Sequence, residues 1–135
     1  MNIPTTFEPV WVREDTALAI HQRQLAEHGG PGGVRDMGLL QSALARPQHM
    51  FHYRPDISLA ELAAAYGFGI AKNHAFVDGN KRSALALTDL FLMLNGFEII
   101  ASAEENYRAI IALAEGTGGE EAYAAWLKKT IAPRA

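Results

Sequence analysis

A nine-residue run in the middle of the chain, 74–82, holds side chains that could together carry out phosphate transfer. His74 could act as a general base, because an unperturbed histidine, with a pKa near ~6.5, accepts protons at neutral pH. Asp78 could hold a magnesium ion that bridges phosphates, since Mg²⁺ prefers one or two carboxylates plus substrate oxygens. Lys81 and Arg82 add two formal positive charges. The residues predicted to be catalytic are His74, Asp78, Lys81 and Arg82, with Asp78 as the metal ligand.

The end of this run also predicts an anion site formed by the backbone. We expect a helix from about Asn80 to Asn95, closed by Gly96, and a helix start offers unsatisfied N–H groups at the positive end of the dipole. Gly79 would let the backbone approach a ligand closely, and Asn80 could cap the helix or donate to an oxygen. Phosphate binds well at such a position. The residues predicted to bind it are Gly79, Asn80, Lys81 and Arg82.

Each of these residues also has a purely structural interpretation. Asp-Gly-Asn is a common turn, a Lys-Arg pair is usually solvated, and a lone histidine before a helix is more often structural. The functional interpretation rests on their joint placement at the start of a helix that is apolar on nearly every side and is expected to be the most buried of all. Phe76, inside the run, is expected to be buried and to anchor the loop.

Helical patterns on both sides of the run predict an all-α bundle of about six helices with this buried central helix. A helix from about Arg13 to His28 ends at the cluster Gly29–Gly33, and Asp36 caps a short helix that should end before Pro47. Capping boxes begin two further helices, and an acidic first turn begins the last one. Their first residues are Ser58, Ser102 and Glu120.

Strand signals are sparse. Only the segments 9–12 and 97–100 could be extended, and both are too short to build a sheet. The segment from Gln48 to Ile57 is expected to be irregular, with an unusual density of aromatic and basic residues. Because exposed loops with such content often bind something, we expect a substrate flap here, with Tyr53 or Arg54 as contacts.

Length and composition limit the number of domains and the kinds of partner and location that we expect. The 135 residues fit a single domain, 1–135, and a formal net charge of −3 gives the chain no general attraction to nucleic acid or to anionic membranes. Cysteine is absent, the segment Met1–Thr6 shows no secretory signal, and the apolar stretch Ala84–Leu94 is too short to cross a bilayer, which takes roughly 20 residues. We therefore expect a cytoplasmic protein without disulfides.

The run resembles the motif of the Fic/Doc superfamily, commonly written H-x-F-x-D/E-G-N-x-R. Six positions match: His74, Phe76, Asp78, Gly79, Asn80 and Arg82. The resemblance extends to residues 33–47, which look like the N-terminal half of Doc-type toxins, so it covers most of the chain. It implies the small helical Fic fold.

Two departures from the adenylylating Fic pattern are Doc-like. The residue after the asparagine is Lys81 instead of glycine, and Leu85 replaces a second arginine. The resemblance therefore implies ATP and Mg²⁺ as cofactors, an inverted nucleotide with its γ-phosphate toward the base, and phosphorylation of a protein hydroxyl. For Doc-type toxins the substrate is elongation factor Tu. Many Fic proteins carry an inhibitory helix motif, a serine or threonine followed four residues later by glutamate and then glycine or asparagine, and this sequence has none. The resemblance implies inhibition by a separate protein instead, a small, Phd-like antitoxin whose helix packs into a groove.

Three alternatives remain open. The same residues could transfer AMP, as in Fic adenylyltransferases, or the helix start could merely bind a nucleotide or peptide in a non-catalytic module. A metal-dependent hydrolase could instead use His49 and His52 with His74 and Asp78, although two histidines three residues apart in a loop are more often a surface coincidence. The remaining histidines and the tryptophans are expected to be structural: His21, His28, Trp11 and Trp126.

Overall fold

The computed structural model describes residues 7–116 and 118–135, which form six helices and two short strands. The elements are α1 (Glu14–His28), α2 (Met37–Tyr53), α3 (Leu59–Asn73), α4 (Asn80–Leu94), β1 (Phe97–Ile99), α5 (Ala103–Ala114), α6 (Gly119–Thr130) and β2 (Ile131–Pro133). The expected all-α bundle of about six helices is confirmed. The segment Met1–Thr6, in which the sequence shows no secretory signal, lies outside the described residues. None of the helices in the described ranges is long and apolar enough to span a membrane.

The helix at the centre of the bundle is α3, which packs against α2, α4, α5 and α6. Eleven of its fifteen residues are buried, and most of these are alanine or glycine. Small side chains let the neighbouring helices approach closely: a Cβ at Gly69 would lie 3.0 Å from the Cβ of Ala43. Helix α4 also lies within the bundle, against α1, α3 and α5, but Met93 and Leu94 at its end are exposed. The prediction that α4 is the most buried helix is therefore wrong.

Helix α2 continues through Pro47 to Tyr53, so the prediction that it ends before the proline is wrong. The irregular segment predicted from Gln48 to Ile57 is helical as far as Tyr53 and irregular only over residues 54–57. The cause is tertiary packing. Leu40, Ala43, Leu44 and Pro47 are all buried at helical spacing, and Met50 and Phe51 extend the same face against the core. Burial of this continuous face outweighs the local preference against a helix before proline.

The two strands form a small antiparallel sheet in which Phe97 pairs with Pro133 and Ile99 with Ile131. Strand β1 falls within the segment 97–100, which was predicted as extended. Residues 9–12, the other predicted segment, form no strand, and β2 was not predicted. The expectation that these segments are too short to build a sheet is thus wrong. Gly96, at φ +88°, makes the turn between α4 and β1. This agrees with the prediction that Gly96 closes the helix, because glycine adopts a positive φ readily.

Candidate functional site

The motif loop, residues 74–79, joins α3 to α4. His74 caps the C-terminal end of α3 in the left-handed region, with φ 52° and ψ 48°, and it is the one non-glycine residue with positive φ in the described ranges. Its side chain is exposed. The left-handed backbone turns the chain out of α3, and the imidazole is exposed to solvent.

The segment before α2 holds this turn in place. Arg35 donates from Nε to the carbonyl of His74 at 2.7 Å and from a terminal nitrogen to the carbonyl of Asn73 at 3.1 Å. The N–H groups of Arg35 and Asp36 both donate to the carbonyl of Ala75, at 2.7 and 3.0 Å. Carbonyls at a helix C-terminus have no partner within the helix, so a guanidinium is well suited to satisfy them. Arg35 therefore fixes the backbone that carries His74.

Inside the loop, Phe76 is 1% exposed, which confirms the expectation that it is buried. Its ring stacks on that of His21 with the centroids 3.7 Å apart and an interplanar angle of 6°. Its N–H donates to Oδ1 of Asn80 at 3.1 Å, and Nδ2 of Asn80 donates back to its carbonyl at 3.0 Å. The Asn80 side chain thus closes the loop. The N-cap residue of α4 is Gly79 and not Asn80, which is the first residue of the helix.

The Asp78 carboxylate lies at the mouth of this loop. One of its oxygens, Oδ1, accepts from the N–H of Gly79 at 2.8 Å, and the side chain is exposed. The other, Oδ2, lies against Gly30, where any Cβ would collide with it. Gly30, in the glycine-rich loop after α1, therefore leaves room for the carboxylate itself.

All six predicted site residues line one cavity of about 360 Å³. Helix α4 begins at its edge. Among the described residues no side chain caps α4, α1 or α6, whereas α2, α3 and α5 each have a side-chain cap. The lining residues are Gln24, Leu25, His28, Gly29, His74, Val77, Asp78, Gly79, Asn80, Lys81, Arg82 and Tyr107. An imidazole, a carboxylate, two basic side chains and an open helix start therefore surround a space of the size that small ligands occupy.

The two cations of the cavity differ in their surroundings. Lys81 is exposed, whereas the half-buried Arg82 places its guanidinium 4.9 Å from the centre of the Tyr107 ring. A terminal nitrogen of Arg82 also lies 3.4 Å from Nε2 of His28. Arg82 is thus held between α1 and α5, whereas Lys81 extends into solvent.

The expected flap and the hydrolase alternative find no support in this geometry. Tyr53 is 90% exposed and Arg54 pairs with Glu61, and neither lines the cavity. His49 and His52 lie on α2, and within 7–116 and 118–135 no three side chains of the metal-binding types come together. These two histidines therefore do not join His74 and Asp78.

Sequence reasoning missed four residues that shape the site: His21, His28, Arg35 and Tyr107. His21 had a detectable signal, since it lies four residues from both Ala17 and Leu25, and a histidine within such an apolar stripe is expected to be buried. Arg35 lies in the segment 33–47 that resembles Doc-type toxins, but the resemblance gave it no role. His28 and Tyr107 had no signal, because a histidine at a helix end and a tyrosine on a helix face are ordinary in any sequence.

Comparison with known proteins finds a family model and two relatives to which this chain is similar. A sequence model described as Fic/DOC family matches residues 11–92, which span α1, the motif loop and most of α4. The protein kinase Doc of Escherichia phage P1 is 32% identical over 93 residues, covering 69% of this chain and 74% of that protein. The toxin Doc of Mycolicibacterium smegmatis is 48% identical over 75 residues, covering 54% of this chain and 57% of that protein.

Proposed function

Because this chain belongs to the Fic/Doc family, we propose that it is a Doc-type toxin and a protein kinase that transfers the γ-phosphate of ATP to a serine or threonine hydroxyl. The observation that carries the proposal is the common cavity. His74, Asp78 and the start of α4 all line it, so a base, a metal carboxylate and an anion site face the same space. Phosphoryl transfer requires little beyond such positioning and charge neutralisation.

In this mechanism His74 takes the proton of the target hydroxyl. The hydroxyl oxygen then forms its bond to the γ-phosphorus, while the bond between that phosphorus and the β–γ bridging oxygen breaks and ADP leaves. The exposed imidazole is accessible to a protein substrate, and Arg35 holds the turn that presents it. His74 is therefore the catalytic base in this proposal.

Asp78 is the proposed ligand of Mg²⁺, which supplies charge neutralisation for the phosphates when bound. The residues present fit such an ion, because the exposed carboxylate faces the cavity and the absence of a side chain at Gly30 accommodates its Oδ2. The N–H of Gly79 orients the other oxygen. The open start of α4, with Lys81 and Arg82, binds the phosphate oxygens.

Lys81 and Leu85 favour phosphate transfer over AMP transfer. The Lys81 side chain lines the cavity, and we propose that it occupies the space that terminal phosphates fill in the adenylylating orientation. Leu85 packs against the core from α4 and offers no second guanidinium for those phosphates. The kinase name of the phage relative supports the same choice.

By the family resemblance we propose elongation factor Tu as the protein substrate, with inhibition of translation as the result. We also propose a Phd-like antitoxin as the partner that restrains the toxin by packing a helix into a groove. The name of the mycobacterial relative, a toxin, supports this assignment.

The experiment that tests the function uses purified elongation factor Tu, MgCl₂ and ATP labelled at either the α- or the γ-phosphate. We expect label in the factor only from γ-labelled ATP, and none with His74→Asn. Label only from α-labelled ATP would establish AMP transfer instead. If wild type transfers neither label to the factor or to any protein of a cell lysate, the non-catalytic alternative is favoured.

A further inference from the structure

One buried side chain of α1 contacts three residues of the motif loop, although the mechanism proposed above does not use it. His21 is 2% exposed, and its ring stacks on that of Phe76 at 3.7 Å. Its ring also packs under Gly79, where a Cβ would lie 3.7 Å from Nε2. A single side chain thus connects α1 to the loop that carries the candidate site.

The hydrogen bond of the His21 ring shows that one of its two nitrogens carries a hydrogen. Nε2 lies 2.7 Å from the main-chain oxygen of Asp78, and a carbonyl oxygen can only accept. Nε2 therefore carries a hydrogen and donates it. The bond is short and its donor side chain is buried, so loss of the bond leaves a buried N–H group without this partner.

The bonded carbonyl belongs to the peptide between Asp78 and Gly79. The amide N–H of that same peptide donates to Oδ1 of Asp78, so one rigid plane links the His21 ring to the carboxylate. We infer that His21 is a positioning residue: it fixes this peptide plane and thereby the direction in which the Asp78 carboxylate faces the cavity. Its role in catalysis rests on the proposed kinase function, whereas its effect on the loop does not.

The alternative is that His21 only fills space beside Phe76. Stacking and hydrogen bonding can be separated by three substitutions at this one position. His21→Gln keeps an N–H donor without a ring, and His21→Met has a similar shape without the donor. His21→Phe keeps a ring that can stack, also without the donor.

The first measurement is amide hydrogen exchange at Gly79 and Asn80 in the ligand-free protein, with the unfolding temperature of each variant. Loss of one neutral hydrogen bond should speed exchange by about five- to tenfold. We expect this increase in His21→Met and His21→Phe and exchange close to wild type in His21→Gln. Ala17→Gly, one turn earlier in α1, is the control, since glycine weakens the helix without altering the loop contacts.

The second measurement is the binding of Mn²⁺, as a paramagnetic substitute for Mg²⁺, in the presence of ATP. We expect the apparent dissociation constant to rise about fivefold in the two variants without a donor and to stay near wild type in His21→Gln. The transfer rate at saturating metal should change by less than about twofold in all three, because a positioning contact acts before the chemical step.

Equal exchange rates in His21→Gln and His21→Met would overturn the inference, as would the same increase in Ala17→Gly. If wild type binds no Mn²⁺ with ATP, the proposed function fails, and the exchange rates still decide whether His21 positions the loop.

Discussion

Asn80 and Phe76 form a closed pair of hydrogen bonds across the motif loop, with Oδ1 accepting from the Phe76 N–H at 3.1 Å and Nδ2 donating to its carbonyl at 3.0 Å. Only a carboxamide offers a donor and an acceptor side by side in this way. Both partners are buried, so neither bond can be exchanged for one to water. This pair explains structurally why asparagine stands between Gly79 and Lys81.

We predict that Asn80→Asp lowers the free energy of unfolding by about 1–3 kcal/mol, because it faces the Phe76 carbonyl with an oxygen instead of a donor. Phosphate transfer should fall with it, as the loop that carries Asp78 loses its closure. Urea denaturation and the labelled-ATP assay measure the two effects.

Asn95 offers a matched control at the other end of α4. Its side chain makes the same two-way pair with the main chain of Val10, at 2.8 and 3.0 Å, far from the cavity. Asn95→Asp should therefore lower stability while leaving transfer intact at temperatures where the protein is folded. Equal losses of transfer in both variants would show that Asn80 acts through global stability alone.

The fold and the motif residues were predictable to different extents. The helix count and the gathering of His74, Asp78 and Arg82 follow from local patterns, because the start of a helix places its neighbours in sequence around one point. His21 and Arg35 act through contacts that cross 57 and 39 residues of sequence, and no local pattern encodes those. The continuation of α2 through Pro47 was missed for the same reason, since packing of a distant face decides it.

A second prediction concerns the base. Asparagine tolerates the left-handed backbone of His74 but cannot take up a proton at neutral pH, so His74→Asn should remove the chemistry and keep the turn. We expect transfer to fall by about 100-fold or more and the free energy of unfolding to change by less than about 0.5 kcal/mol. Transfer rates and urea denaturation test this. Retention of full transfer would contradict the assignment of the base.

A third prediction concerns Tyr107, whose ring lies 4.9 Å from the Arg82 guanidinium. Removing the ring in Tyr107→Leu frees Arg82, and a cation–π contact at a partly exposed site contributes about 0.5–1 kcal/mol. We therefore expect KM for ATP to rise about two- to fivefold with kcat nearly unchanged. Tyr107→Phe retains the ring face and should resemble wild type, so an equal effect in both variants would assign the role to the hydroxyl instead.

The last prediction uses Asp89, which faces α5 from the interior side of α4 and accepts from Nδ2 of Asn106 at 3.2 Å. Burial raises the pKa of its carboxyl, and the hydrogen bond from Asn106 offsets only part of that increase. Well below about pH 4, the ordinary pKa of an aspartate in the unfolded chain, the carboxyl is protonated in both the folded and the unfolded chain, so it makes no difference to stability. As the pH rises, the unfolded chain ionises first, and stability falls until the pH has passed the raised pKa of Asp89 in the folded state.

Asp89→Asn keeps an acceptor for Asn106 and removes the ionisation. Thermal unfolding from pH 3 to pH 8 should show the two proteins equally stable at the acidic end and the variant more stable at neutral pH. A variant that is less stable than wild type at pH 7 would mean that the ionised carboxylate is favoured in the folded state.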